Sequence, residues 1–242
     1  MTDRAAIVTG ASSGIGLAVA RMLAEEGHAV TLVARRPDKL EAAYDALRAD
    51  GLEVQRVAAD VGDEADVIRA VAAHRDAYER LDVLMNNAGV GIGAPIAELD
   101  TKRMDIQLAT NLRSIPLFYR ECVAMLTAAG AEHGNALVVN TASIAGKHGQ
   151  GWLSIYSATK FGVVGFTEAM NKELGGLGVK STALCPAWVN TPMTDFVKPR
   201  VPPEAMIQTS DIVASVRMLL SLSAGCLVPE IVFRSPTDGA LL

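Results

Sequence analysis

Short, nearly unbroken apolar runs alternate along the chain with longer stretches in which apolar residues recur every three or four positions. The runs "AAIVT" (5–9), "AVTLVA" (29–34), "VLMNN" (83–87), "ALVVN" (136–140) and "STALC" (181–185) are of the first kind. Their length and continuity suit strands buried on both faces, as parallel strands covered by helices are. The stretch "PDKLEAAYDALRADG" (37–51) is of the second kind. Pro37 opens it, Leu40, Ala43 and Leu47 fall along one side, and Gly51 stops it. Alternation of the two kinds predicts a doubly wound α/β fold of about seven parallel strands with helices on both faces. No solenoid repeat and no shift in composition divides the chain, so one domain over residues 1–242 is expected.

Composition sharpens the picture by exclusion. Half of the residues are hydrophobic and 20% are charged, which describes a well-packed protein with no low-complexity segment. The net charge of −5 comes from interspersed acids and bases, and no basic face is available for nucleic acid. The start "MTDRAAIVTG" runs straight into a strand, and no apolar stretch reaches membrane-spanning length. A cytoplasmic protein without a membrane partner is expected. Cys122, Cys185 and Cys226 are scattered, and the four histidines do not cluster with them, so neither a disulfide framework nor a metal site is expected.

Chemistry enters at "TGASSGIG" (9–16), where the first strand gives way to the first helix. A phosphate at a helix N-terminus needs free N–H groups and no side chain in its way, which Gly10, Gly14 and Gly16 provide. Their spacing, G-x-x-x-G-x-G, differs from the commoner dinucleotide fingerprint G-x-G-x-x-G. The second strand ends at Ala34 and is followed by Arg35 and Arg36, where an acidic residue would instead hold the ribose of NAD. A hydrogen bond between charged groups is worth roughly 1.5–3 kcal/mol, so two arginines and no carboxylate give a preference of about 10- to 150-fold for NADP(H) over NAD(H).

A second pattern is "SIYSATK" (154–160), which sets Tyr156 and Lys160 four places apart, on one face of a helix. A phenol titrates near 10, and moving it to about 7 takes roughly 4 kcal/mol. An exposed ion pair supplies about 1 kcal/mol at most. The pair must therefore work in a partly dry site, helped by a second positive charge such as an oxidised nicotinamide. There Tyr156 would give a proton to a carbonyl oxygen as hydride reaches its carbon, while Lys160 holds the ribose. Small neighbours at Ser157, Ala158, Thr159 and Gly162 let the helix lie close to its surroundings and leave that face open.

Seven segments together resemble the classical short-chain dehydrogenase/reductase family over nearly the whole chain. They are "TGASSGIG", Asp60-Val61, "NNAG" (86–89), Asn111 in "TNLRS", Ser143 in "NTASIAG", "YSATK" (156–160) and "PAWVNT" (186–191). The resemblance implies a Rossmann fold and a catalytic set of Asn111, Ser143, Tyr156 and Lys160. Ser143 would hydrogen-bond the substrate oxygen, and Asn111 would anchor a water linking Lys160 to a proton relay. For the cofactor, the resemblance adds Ser12, Ser13 and Ile15 of the glycine turn, Asp60 and Val61 at the adenine, and Asn87, Ala88 and Gly89 along the groove. Pro186, Val189 and Thr191 would lie by the nicotinamide. It also implies a homodimer or homotetramer, with Ala158, Gly162, Gly165 and Ala169 as close-contact positions either between subunits or within one. Two departures stand out: Ala187 replaces the family's usual glycine beside the nicotinamide, and "VPEIVFRSPTDGALL" (228–242) lacks the glycine-rich ending of the acyl-carrier-protein reductases.

The loop "WVNTPMTDFVKPRVPPEAM" (188–206) has the composition of a substrate lid, and Ile144, Trp152, Trp188, Met193 and Phe196 are candidates for an apolar pocket. The expected substrate is a medium-sized, partly apolar ketone, aldehyde or alcohol. The alternatives are a 3-oxoacyl thioester reductase, an isomerase working by transient oxidation, and an NADP-binding regulatory protein without turnover. The segment "RECVAMLTAAGAEHG" (120–134) carries little positive charge, which weighs against docking of an acidic carrier protein.

Overall fold

The computed structural model describes residues 4–236. The last six residues of the C-terminal ending singled out above, 237–242, lie outside that range, as do residues 1–3. The described chain forms one sheet of seven parallel strands, in the order β3-β2-β1-β4-β5-β6-β7. In sequence these are β1 Ala5–Thr9, β2 Ala29–Ala34, β3 Val54–Ala58, β4 Val83–Asn86, β5 Ala136–Thr141, β6 Val179–Pro186 and β7 Glu230–Phe233. The helices between them are α1 Gly14–Glu25, α2 Pro37–Ala49, α3 Glu64–Tyr78, α4 Thr101–Leu108, α5 Ser114–His133, α6 Ser154–Leu174 and α7 Thr209–Ser221.

Period-two alternation along the strands builds a core on each face. Ala6 and Val8 of β1 point to the face covered by Leu23 of α1, Leu40 and Leu47 of α2, and Ile212 and Val216 of α7. Ile7 and Leu84 point the other way, to Val67 and Val71 of α3, Phe118 and Leu126 of α5, and Val163 of α6. Leu40, Ala43 and Leu47 are the buried face of α2, as their spacing requires. β1 pairs with β2 on one side and β4 on the other. At that point the direction of winding reverses, and the loops leaving the C-terminal strand ends part to form a crevice.

Of the small residues of α6, Gly162 packs within the chain, since a methyl group there would come within 3.0 Å of the Leu112 side chain. Ala158 and Ala169 are exposed, and Gly165 faces open space. No helix among the described residues is long and apolar enough to cross a membrane.

Buried polar groups at the lower end of the sheet are closely paired. Asp82 is 1% exposed and accepts from the Ala5 amide (2.8 Å), Arg80 (2.7 and 2.9 Å) and His133 Nε2 (3.0 Å). Burial opposes its ionisation, but these hydrogen bonds, Arg80's foremost, outweigh it and hold the carboxyl below its usual range. His74 is fully buried between Thr31 Oγ1 (2.6 Å) and the Arg80 carbonyl (2.8 Å), and burial lowers its pKa from 6.5 to about 4. Between those values the unfolded chain takes up a proton that the folded protein refuses. Stability contributed by neutral His74 is thus fully present above pH 6.5 and is lost as the pH falls to about 4, by about 3 kcal/mol in all. Urea unfolding at pH 7.5 and pH 4.5 measures this. His74→Gln is expected to be less stable at neutral pH but to lose less on acidification; an unchanged acid slope would refute the assignment.

Candidate active site

Threonine at the end of β1 sets the floor of the crevice. Thr9 Oγ1 accepts from the amides of Asn87 (2.9 Å) and Ala88 (3.0 Å), so the loop leaving β4 is bonded to the strand beside it. Asn87 Nδ2 donates to the Thr9 carbonyl (3.2 Å), and Asn87 Oδ1 accepts from Thr141 Oγ1 (3.2 Å). Beneath lies a closed polar chain: Asn86 donates to Asn140, which donates to Tyr119 and Thr167, and Tyr119 donates to Ser181, over distances of 2.9–3.0 Å. Sequence pattern assigns no role to Thr9, Tyr119, Asn140, Thr167 or Ser181. Short polar residues inside otherwise apolar strands are the only signal they leave.

The glycine turn opens onto the crevice. Gly10 and Gly14 have φ of +66° and +55°, where a side chain would be strained. Ser13 caps α1 without a side-chain hydrogen bond, leaving the first amides of the helix free to meet an anion. Gly16 does something else: a methyl group there would run into the Gly10 carbonyl and Asn87 Nδ2. It permits close packing beneath the turn and does not itself line the cleft. Every other residue expected at the cofactor does line it.

The cleft has a volume of about 460 Å³. At one end Arg35 and Arg36 follow β2, with Arg35 3.8 Å from Asp60 Oδ2. Asp60 Oδ1 in turn accepts from the Gly62 amide (2.9 Å). The uncapped helix and the bare Gly10 and Gly14 backbone form a cradle that fits the pyrophosphate of a dinucleotide, with the arginines at its adenosine end.

Ser143, Tyr156 and Lys160 converge in the middle of the cleft. Ser143 ends the β5 connection and caps a short 3₁₀ turn, Ile144–Gly146, by accepting from the Ala145 amide (3.1 Å). A methyl group on Gly146 would come within 2.6 Å of the Lys160 carbonyl, so glycine lets this turn lie directly on α6. Lys160 is 3% exposed; its Nζ donates to the Thr141 carbonyl (2.6 Å) and lies 5.5 Å from the centre of the Tyr156 ring. Burial lowers the ammonium pKa to about 8. Burial also pushes the Tyr156 phenol up, opposed by its hydrogen bond with Ser143. In the protein alone burial thus makes the phenol a weaker acid than in water, and positive charge beside it would correct this.

Asn111 lies deeper, 1% exposed and outside the cleft lining, in a single wide π-helical turn, Ala109–Arg113, that joins α4 to α5. Its amide grips the Val90 backbone from both ends, donating to the carbonyl and accepting from the N–H at 2.8 Å each. The side chain is thereby committed to holding the β4 loop over the site. Interruptions of this kind concentrate where a helix serves a functional site.

The apolar candidates Ile144, Trp152, Trp188, Met193 and Phe196 all line the opposite end. Trp188 and Phe196 meet edge to face at 5.9 Å, while Met193 and Phe196 are half exposed or more. The expected lid is ordered into two short turns, Pro192–Val197 and Pro203–Ala205. Ala187 lines the cleft, and its amide bonds to the Phe233 carbonyl (3.0 Å) on β7, so the chain keeps regular sheet pairing at this position. The charged residues lining the cleft are Arg35, Arg36, Asp60 and Lys160, none of them at this end.

Comparison with known proteins agrees with this fold. Residues 4–201 match the family model described as short chain dehydrogenase. A protein assigned to the monensin polyketide synthase of Streptomyces virginiae as a ketoacyl reductase is 46% identical over 200 residues, covering 81% of this chain and 75% of its own. The crystal structure of a single-residue variant of the actinorhodin polyketide ketoreductase with NADPH superposes with a TM-score of 0.86 at 34% identity over 95% of both chains. A 3-ketoacyl-(acyl-carrier-protein) reductase from Brucella melitensis, complexed with NADH, gives 0.86 at 27% identity over 95% of this chain and 96% of the other.

Proposed function

This chain belongs to the short-chain dehydrogenase family, and from that premise we propose that it is an NADPH-dependent reductase of a neutral, largely apolar ketone. The observation that carries the reading is one cleft holding Ser143, Tyr156 and Lys160 at its centre, two arginines at one end and uncharged aromatic walls at the other. NADPH would lie across the glycine turn with its extra phosphate at Arg35 and Arg36, and would supply hydride to the carbonyl carbon.

The remaining chemistry falls to the chain itself. Ser143 donates to the carbonyl oxygen and orients it, and it stabilises the charge that grows there. Tyr156 passes its proton to that oxygen. Lys160, held by the Thr141 carbonyl, keeps an ammonium beside the phenolate left behind and grips the ribose. Asn111 fixes the β4 loop that roofs the pair.

The ketoacyl reductases among its relatives support a narrower reading, a β-ketoacyl or polyketide-type ketone. The absence of charge at the substrate end suits such a chain. We also assign the exposed Ala158, Gly165 and Ala169 strip of α6 to contact with a second copy, giving a homodimer or homotetramer of cytoplasmic protein. Light scattering tests this directly, and a monomeric mass would sink it.

Absorbance at 340 nm, followed with NADPH and NADH over cyclic ketones, aldehydes and β-ketoacyl thioesters of N-acetylcysteamine, tests the function. Ketone-dependent oxidation of NADPH is expected. No turnover of any carbonyl, and none of the matching alcohols with NADP, would overturn it.

A further inference from the structure

The loop leaving β4 reads Gly89-Val90-Gly91-Ile92-Gly93, and its alternate glycines face three side chains in succession. A methyl group on Gly89 would lie 3.4 Å from Asn111 Oδ1 and 3.8 Å from Lys160 Nζ, and one on Gly91 would lie 4.0 Å from the Tyr156 ring. One on Gly93 would fall 2.5 Å from the Trp152 indole, so that ring is seated directly on the Gly93 backbone. Trp152 is therefore the third member of a row that begins with Lys160 and Tyr156.

Its backbone is held there at some expense. Trp152 and Glu79 are the non-glycine residues with positive φ among those described, Trp152 at +68°. Its carbonyl accepts from the Ala94 amide (2.9 Å), so both its ring and its main chain join the segment before α6 to the loop after β4. The neighbouring Gly149 and Gly151 meet nothing within 4 Å, whereas the Gln150 amide donates to Ser157 Oγ (3.0 Å) and helps to hold the stretch. A bulky side chain in a conformation suited to glycine persists where its surroundings fix it, commonly at functional sites.

We infer that Trp152 is a specificity-determining residue: seated on Gly93, its indole bridges the two walls of the cleft next to Tyr156 and caps the substrate end, limiting the size of the ketone admitted. The inference rests on the reductase reading of the site. It accounts for glycine at 93, because any side chain there would displace the cap. It also accounts for an indole that lines the cleft with one face while remaining 54% exposed.

The test is a ratio, which does not depend on the fraction of protein that is folded. kcat/KM is measured for cyclohexanone and for 2-acetonaphthone in the wild type, in Trp152→Gly, which suits the backbone at this position, and in Trp152→Phe. Trp152→Gly is expected to raise the bulky-to-compact ratio by about tenfold or more, the scale on which pocket volume discriminates. Trp152→Phe, which keeps a ring on Gly93, should restore most of the original ratio. Calorimetry of 2-naphthol and cyclohexanol binding to the protein with NADPH, a pairing that cannot transfer hydride, reads the same ratio without turnover, so failure of the reductase reading is separable from failure of the cap. A bulky-to-compact ratio that stays within twofold of wild type in Trp152→Gly, in binding or in kinetics, overturns the inference.

Discussion

Tyr156→Phe is expected to lower kcat for ketone reduction by about 10³-fold or more while leaving NADPH affinity within about twofold. General acid catalysis by a positioned side chain is worth roughly 10²–10⁴-fold. On the proposed mechanism no other donor is placed to substitute: Ser143 would already serve the oxygen as a hydrogen-bond donor, and Lys160 is tied to the Thr141 carbonyl. The phenyl ring would preserve the packing against Gly91 and leave the glycine turn untouched, so cofactor binding and the circular dichroism spectrum should not change. Burial raises the phenol pKa and lowers that of the ammonium to about 8. Bringing a phenol from its ordinary value near 10 to about 7 takes roughly 4 kcal/mol, and burial adds to that cost, so the lysine and the nicotinamide charge are both needed in a dry site. Steady-state rates at 340 nm and NADPH titration by fluorescence separate the two effects. Residual turnover within tenfold of wild type would remove Tyr156 from the proton-transfer role.

Arg35→Asp is expected to turn a preference for NADPH of about 10- to 150-fold into a preference for NADH, a change in the kcat/KM ratio of about 10²-fold or more. The substitution acts twice. It removes a guanidinium suited to phosphate, and it sets a second carboxylate beside Asp60, which lies 3.8 Å from Arg35 and would lose its partner. Both groups are largely exposed, so the effect should weaken as ionic strength rises. Arg36→Ser, which removes one charge and adds none, should shift the ratio less. Turnover ratios that Arg35→Asp leaves unchanged would show that the arginines only solvate the start of α2.

How legible the molecule is depends on where each part sits. The inner strands β1, β2, β4, β5 and β6 are buried along nearly their whole length and read plainly as apolar runs. β3 and β7 are the two edges of the sheet; "VQRVA" and "EIVF" are partly exposed, so their patterns mix polar with apolar and neither stands out as a run. The π-helical turn around Asn111 leaves no trace because its cause is not local: it depends on the grip that the Asn111 amide takes on Val90, twenty-one residues earlier. Gly93 looks like an ordinary loop residue in the sequence, since its need for glycine arises from the Trp152 ring, contributed by a distant segment. Gly16 is legible as a required glycine, though its reason is contact with the Gly10 carbonyl rather than space around a phosphate.

By itself the sequence determined the doubly wound sheet, the class of cofactor site and the candidate acid, because each is encoded in short-range pattern: buried strands, a glycine turn at a helix start, and a tyrosine one helical turn from a lysine. Only the tertiary structure decided which residues share a cleft, which glycines yield space to which side chains, and how burial displaces the titration of Tyr156, Lys160 and His74. Those properties belong to groups far apart along the chain and brought together by the sheet order, so no local spacing could carry them.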